Sequence, residues 1–223
     1  MATRAKRAER RSDALSKERI VEAAIEILDA GGESALTFRT LAARLATGSG
    51  AIYYRVSGKD ELLAAATDDV IGRAMAGVPS GAEPREAIRA ITLGIFDAID
   101  AHPWVGTQLS REPWQSAIPM ILEGIGGQLQ ALGVPERAQF DSASALLNYI
   151  LGLAAHYAAA ARLLPRGTDR PAFLAAVTER WMRGDPARHP FIRQVAAQIR
   201  EHDDREQFIA GIDLILAGIG TTR

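Results

Sequence analysis

The chain of 223 residues has no cysteine. Disulfides, thiolate metal sites and thiol nucleophiles are therefore excluded. It also lacks a charge bias: 26 Lys and Arg stand against 27 Asp and Glu, for a net charge of -1. Overall charge thus points to no class of partner. No run of residues alternates apolar and polar in the way a strand requires. HExxH, GxSxG, Walker and GxGxxG patterns are all missing, and the histidines at 102, 156, 189 and 202 show no ligand spacing. Glu201-His202-Asp203-Asp204 reads as a solvated acidic turn. Accordingly no enzyme activity, no metal and no cofactor are expected. The first residues, MATRAKRAERRSDALSKER, contain no apolar core and do not read as a secretory signal. The most apolar stretch, 143–164, is interrupted by Asn148, His156 and Arg162, so it reads as a buried or subunit-interface helix rather than a membrane span. A cytoplasmic protein with no membrane partner is expected.

The composition is that of a chain with a full core, 48% hydrophobic and 24% charged. Helical periodicity runs through nearly all of it. Charge is unevenly placed: residues 1–60 hold 11 Lys and Arg against 8 Asp and Glu. A basic front on an acidic body fits a nucleic-acid contact at one end. Residues 1–13, with Arg4, Lys6, Arg7, Arg10 and Arg11, read either as a solvated tail or as a basic flexible arm on DNA phosphates.

Ser16 opens a helix whose inward stripe is Ile20, Ala23, Ala24, Ile27 and Leu28, ended by Gly31-Gly32. Thr37 is the N-cap of a second, short helix with Leu41 and Leu45 inside. A break at Ala46-Thr47-Gly48 leads to a third helix, about Ser49 to Tyr54, with Ile52 and Val56 inside. Two short helices around a tight glycine-bearing turn make a helix-turn-helix at about 37–56. A fourth helix runs from Gly58 or Lys59 to Met75.

The order Leu36-Thr37-Phe38-Arg39, Leu41-Ala42, Leu45, Gly50-Ala51-Ile52-Tyr53-Tyr54, Val56, Lys59, Leu62-Leu63 resembles the N-terminal domain of TetR-family transcriptional regulators. The segment from Tyr53 to Leu62 is its most specific part. Two departures stand out: Val56 where an aromatic is usual, and glycines at both 48 and 50. The second glycine lowers helix propensity by roughly 1 kcal/mol against Ala, so the third helix is expected to be the least ordered part of this domain without DNA. The resemblance implies an all-α protein of about nine to ten helices: a DNA-binding domain at 14–74 and a larger ligand-binding and dimerisation domain at 82–220.

In a helix-turn-helix the second helix enters the major groove. Thr37 can cap its helix, hold a phosphate, or both. Arg39 reads as a guanine contact or a surface charge. Thr47, Ser49, Gly50 and Ala51 surround the start of the recognition helix. Tyr53 and Tyr54 point away from the core side, and the family suggests phosphate contacts for both. Lys59 looks like a phosphate clamp.

A single short reading head needs a twin. The candidate dimer surfaces are about 143–164 and 205–219, where Gly211 and Gly218 would allow close approach beside Ile212, Leu214 and Ile215. The resemblance implies the same pair of helices, and the alternative is that both simply build the monomer core. Between Pro84 and Leu164, His102, Trp104, Trp114, Asn148 and His156 are candidates for a small-molecule site. Asn148, Gly152 and His156 share one stripe, as a pocket wall or as an ordinary core or dimer contact. The reading is a homodimeric regulator of double-stranded, near-palindromic operator DNA, best taken as a repressor released by a small-molecule effector. A ligand-independent regulator of the same fold and a helical protein-interaction module are the alternatives.

Overall fold

The computed structural model describes residues 15–79, 81–111, 114–163, 168–183, 185 and 187–220; the basic stretch at 1–13 lies outside them. The described residues form eleven helices and no strand. These are α1 (Lys17–Gly31), α2 (Phe38–Arg44), α3 (Ser49–Tyr53), α4 (Lys59–Ala76), α5 (Pro84–Ala101), α6 (Pro103–Arg111), α7 (Ala117–Ala131), α8 (Glu136–Leu163), α9 (Arg170–Met182), α10 (Pro190–Glu201) and α11 (Asp204–Ile219). Eleven exceeds the expected nine to ten, and α6 and α10 are short helices distinct from their neighbours. Each begins at a proline, which pushes the residue before it out of the helical region. His102 sits at φ -128° and ψ 72°, and His189 at φ -135° and ψ 59°.

Local chemistry sets the other ends. Ser16 caps α1 by accepting from Arg19 N at 3.2 Å, and Gly32, at φ 69°, closes it in the left-handed region that favours glycine. Glu83 caps α5, accepting from the backbone N–H groups of Arg85 and Glu86 at 2.9 and 3.3 Å. Pro119 lies in the first turn of α7, where its missing N–H has no intrahelical partner to lose.

One continuous apolar core runs from Leu15 to Leu216. Helix α5 is its centre, burying Ile88, Ile91, Ile95 and Ile99 against α4, α7, α8 and α11. The α4–α5 crossing is tight: a Cβ on Gly94 would stand 2.7 Å from the Ala74 carbonyl oxygen. Helix α6 lies as closely on α8, since a Cβ on Gly106 would reach 2.8 Å from the Ala154 carbonyl oxygen. Trp114 has the spacing of the Ile118, Ile121 and Ile125 stripe, but it precedes α7 and is 95% exposed. On α11 the buried line is Phe208, Ile212 and Leu216, spaced by four, while Ile215 and Ile219 are half-buried and Leu214 is exposed. Phe208 packs its ring on Phe96 and Tyr149, with centroids 5.0 and 5.3 Å apart. Ion pairs from Arg89 to Asp213 and from Arg205 to Asp97 fasten α11 along α5. Among the described residues no helix is long and apolar enough to cross a membrane.

Candidate nucleic-acid interface

Helix α2 starts at a reciprocal cap. Thr37 Oγ1 accepts from Thr40 N at 3.1 Å, and Thr40 Oγ1 accepts from Thr37 N at 3.0 Å. The hydroxyl of Thr37 is thus engaged in the helix start while its side remains open to solvent. The turn after α2 differs from expectation. The residue in the left-handed region is Ala46, at φ 49°, and neither glycine of the segment is. Gly48, at φ -85° and ψ 145°, is the N-cap of α3. An alanine in that region costs about 1–2 kcal/mol, because its Cβ crowds the following carbonyl.

Helix α3 has five residues. It is held from beneath by Ile52, which is fully buried, together with Leu41 of α2 and Val56 just beyond it. The opposite side exposes Ser49, Gly50, Ala51, Tyr53 and Tyr54, with Arg39 exposed on α2 and Thr47 half-buried in the turn. Tyr53 lies flat on Phe38, ring centroids 4.1 Å apart and planes 5° apart. The stack fixes one tyrosine of the pair, whereas Tyr54 is 87% exposed. The Arg55 guanidinium stands 6.0 Å from the Tyr54 ring centre, placing a further cation at this edge. Sequence reasoning passed over Arg55, although a basic residue between Tyr54 and Val56 was visible.

Two ties hold the short helices and α4 to α1. Arg44 pairs with Glu26. Glu61, in the first turn of α4, accepts from Lys17 Nζ at 2.8 Å and from Ser57 N and Oγ at 2.8 and 2.7 Å. These donors, Lys17 foremost, hold the Glu61 carboxyl down at about 2.

Lys59 is not simply turned outward. Its Nζ donates to the Glu33 carbonyl oxygen at 2.7 Å and lies 3.9 Å from the Glu33 carboxylate. That carboxylate also takes Arg111 Nη2 at 2.5 Å and Gln108 Nε2 at 3.3 Å, both from α6. Arg111 chiefly, with Lys59 and Gln108, lowers the Glu33 carboxyl below its ordinary range. Asp29 makes a second contact between the same helices. Its Oδ1 lies 2.7 Å from His102 Nδ1 and accepts from Trp104 Nε1 at 2.7 Å. His102 and Trp104 therefore belong to the α1–α6 seam.

The cavity of the C-terminal half lies elsewhere. It encloses about 950 Å³ between the second half of α8, α9, α10 and the start of α11. Tyr149, Phe173, Trp181, Phe191 and Phe208 give it aromatic walls, and His156, His202 and Arg170 add polar groups. Of the five ligand candidates named from sequence, His156 lines this cavity; Asn148 is exposed on another face of α8, and Trp114 stands in solvent. The aromatic walls escape the sequence because the periodicity of α9 and α10 says only that they are helices, with nothing to say that they stand off from α8. Gly211 also departs from expectation. Its close neighbour is Tyr149 of the same chain, so it serves packing inside the monomer, whereas Gly218 faces open space.

Residues 20–66 match the family model described as bacterial regulatory proteins, tetR family. Among curated proteins, an HTH-type transcriptional regulator of Saccharopolyspora erythraea is 32% identical over 139 residues, covering 62% of this chain but only 59% of that protein. The tetracycline repressor protein class D of Escherichia coli is 25% identical over 222 residues, covering 92% of this chain and 88% of its own. A solved structure of a transcriptional regulator from Streptomyces coelicolor, described as a TetR, is 51% identical, covers 93% of this chain and 99% of that one, and superposes with a TM-score of 0.83. With near-complete coverage in both directions at that identity, and a helix-turn-helix whose inner and outer faces are sorted as above, this chain belongs to the TetR family of bacterial transcriptional regulators.

Proposed function

We propose that the protein is a homodimeric repressor that binds near-palindromic operator DNA through residues 14–74 and is released by a small molecule held in the body formed by residues 82–220. The observation that carries the DNA part is the sorting of α2 and α3. Ile52 and Leu41 are fully buried, while Arg39, Ser49, Gly50, Ala51, Tyr53 and Tyr54 stand together in solvent. Arg39, Thr47, Ser49 and Ala51 are assigned to base edges, with small Gly50 letting the backbone approach. Thr37, Tyr53, Tyr54 and Lys59 are assigned to phosphates, which set register.

Dimerisation is assigned to α8 and α11. Ala145, Asn148, Gly152 and Ala155 form an exposed stripe on α8, small but for Asn148, and Ala210, Leu214 and Ala217 form an exposed apolar stripe on α11. Two such helices from each protomer make a four-helix contact around a two-fold axis. The effector is assigned to the 950 Å³ cavity beside His156, whose size suits a drug-sized ligand. The E. coli relative's name, a tetracycline repressor, supports a repressor that answers to a small molecule. An effector can act only by binding the two head separations with different affinity.

The test is a gel shift on a duplex selected by the protein from a randomised pool. Salt-dependent binding as a dimer, weakened by compounds that raise the melting temperature, is the expected result. A monomer in sedimentation, or selection of no duplex at low salt, overturns the reading.

A further inference from the structure

Helix α6 packs on α4 and also reaches the α1 end of the DNA-reading unit directly. It does so at two carboxylates of the α1 end. Asp29 receives His102 and Trp104, and Glu33 receives Gln108 and Arg111. The second contact carries more information, because Glu33 faces a cation on each side. Arg111 lies 2.5 Å from one carboxylate oxygen, and Lys59 lies 3.9 Å from the other. Lys59 is otherwise fixed by the Glu33 main-chain oxygen at 2.7 Å, which orients the ammonium without neutralising it.

We propose that Glu33 is a positioning residue for DNA binding: while Arg111 of α6 holds its carboxylate, Lys59 keeps its charge for a phosphate, and when α6 withdraws, Glu33 turns to Lys59 and takes that charge away. The inference rests on the assignment of Lys59 to a phosphate and adds a regulatory route to it. The physical basis is competition for one anion. A guanidinium bound through two nitrogens outcompetes an ammonium at 3.9 Å. With Arg111 in place the Glu33 side chain is 34% exposed, and once the guanidinium leaves, the cation next to its carboxylate among the described residues is Lys59. Helix α6 is itself packed tightly on α8 at Gly106, so a change in α8 moves α6 as a body. The cavity beside His156 lies on the same α8.

The experiment compares wild type, R111A, K59A, R111A/K59A and R111A/E33Q by equilibrium binding to a duplex selected from a randomised pool, across a salt series. Melting curves and sedimentation establish that each variant is folded and dimeric. R111A is expected to weaken binding about 5- to 10-fold and to reduce the slope of log K against log salt by about 0.9, the value of one lost phosphate contact. K59A is expected to give the same slope, and R111A/K59A no more than K59A alone. E33Q keeps the main-chain oxygen and removes the competing charge, so R111A/E33Q is expected to recover wild-type affinity and slope. A contact that only braces the head predicts the opposite, with R111A/E33Q as weak as R111A or weaker; that result overturns the proposal. So does a folded R111A that binds as wild type does. If the wild type itself selects no duplex, the assignment to DNA fails, and the role of Glu33 fails with it.

Discussion

The two ends of the molecule are built to different standards of packing. In the N-terminal unit, Ile20, Ala24, Leu41, Ile52 and Ala66 have no exposed surface at all, and helices α1 to α4 close around them. In the α9–α10 layer, Thr178 and Ala196 are the only side chains buried among the described residues. Trp181 and Phe191 are 46% and 67% exposed there, and about 950 Å³ separates the layer from α8. A reading element must present one shape to DNA, so every inward position is filled. The α9–α10 layer, by contrast, leaves part of its apolar surface uncovered. Apolar burial is the dominant favourable term in folding, so the difference in packing is also a difference in where stability resides.

Truncation of a filled position is the strongest way to break the comparison. Ile52→Ala removes the one buried side chain of α3, and its expected cost is about 2–5 kcal/mol. In urea denaturation the midpoint should fall sharply. Operator binding should be lost even where the protein remains dimeric, because α3 then has nothing beneath it. The same class of change across the cavity should do far less. Phe173→Ala removes an aromatic that already faces empty space, so its expected cost is about 1 kcal/mol or less. Should Phe173→Ala cost as much as Ile52→Ala, the layer is a core in its own right and the contrast fails.

How much of this was legible in the sequence follows the same division. The filled unit was readable because each of its residues answers to a local rule. Ser16 and Thr37 cap helices, Leu41 and Ile52 fall on the helical period, and Gly32 closes α1 at a positive φ. The loose layer obeys no such rule. Phe173, Val177 and Trp181 have helical spacing, but spacing cannot tell a side chain that meets another helix from one that meets a void. The seam between α1 and α6 was hidden for another reason. Asp29 and His102 are separated by 73 positions, and pairing at that range is set by how α6 lies on α8. Gly106 permits that approach, and nothing adjacent in the chain announces it. The turn of the helix-turn-helix was located but its strained residue was not. Gly48 is the residue suited to a left-handed conformation, yet that conformation falls on Ala46.

That alanine offers a smaller and opposite effect inside the filled unit. Ala46→Gly relieves the crowding of a Cβ at φ 49°. The gain is partly offset by the greater freedom glycine has when unfolded, so a net stabilisation of about 0.5–1 kcal/mol is expected. Thermal unfolding checks it directly. Amide exchange sharpens it: α3 should exchange faster than α1 in the wild type and should slow in Ala46→Gly, since the turn that launches α3 no longer opposes it. Exchange in α3 as slow as in α1 in the wild type would show that the second glycine, Gly50, costs this helix nothing.

The smallest effect is a surface one, and it separates packing from charge in the same unit. Glu61 ties α4 to Lys17 and Ser57, and those donors hold its carboxyl at about 2, below the ordinary 4.5. A folded-state value that is depressed contributes stability above the ordinary value and loses it as pH falls towards the depressed one. Wild type should therefore melt above Glu61→Gln at pH 7, with the gap closing between pH 4.5 and about 2. The carboxylate is open to solvent, so the gap should also narrow in high salt, where exposed ion pairs are screened. Melting of both proteins across that window, at low and high salt, is the measurement. A gap that is constant with pH would mean that Glu61 contributes by shape rather than by charge. The filled unit would then owe its rigidity to its buried side chains alone.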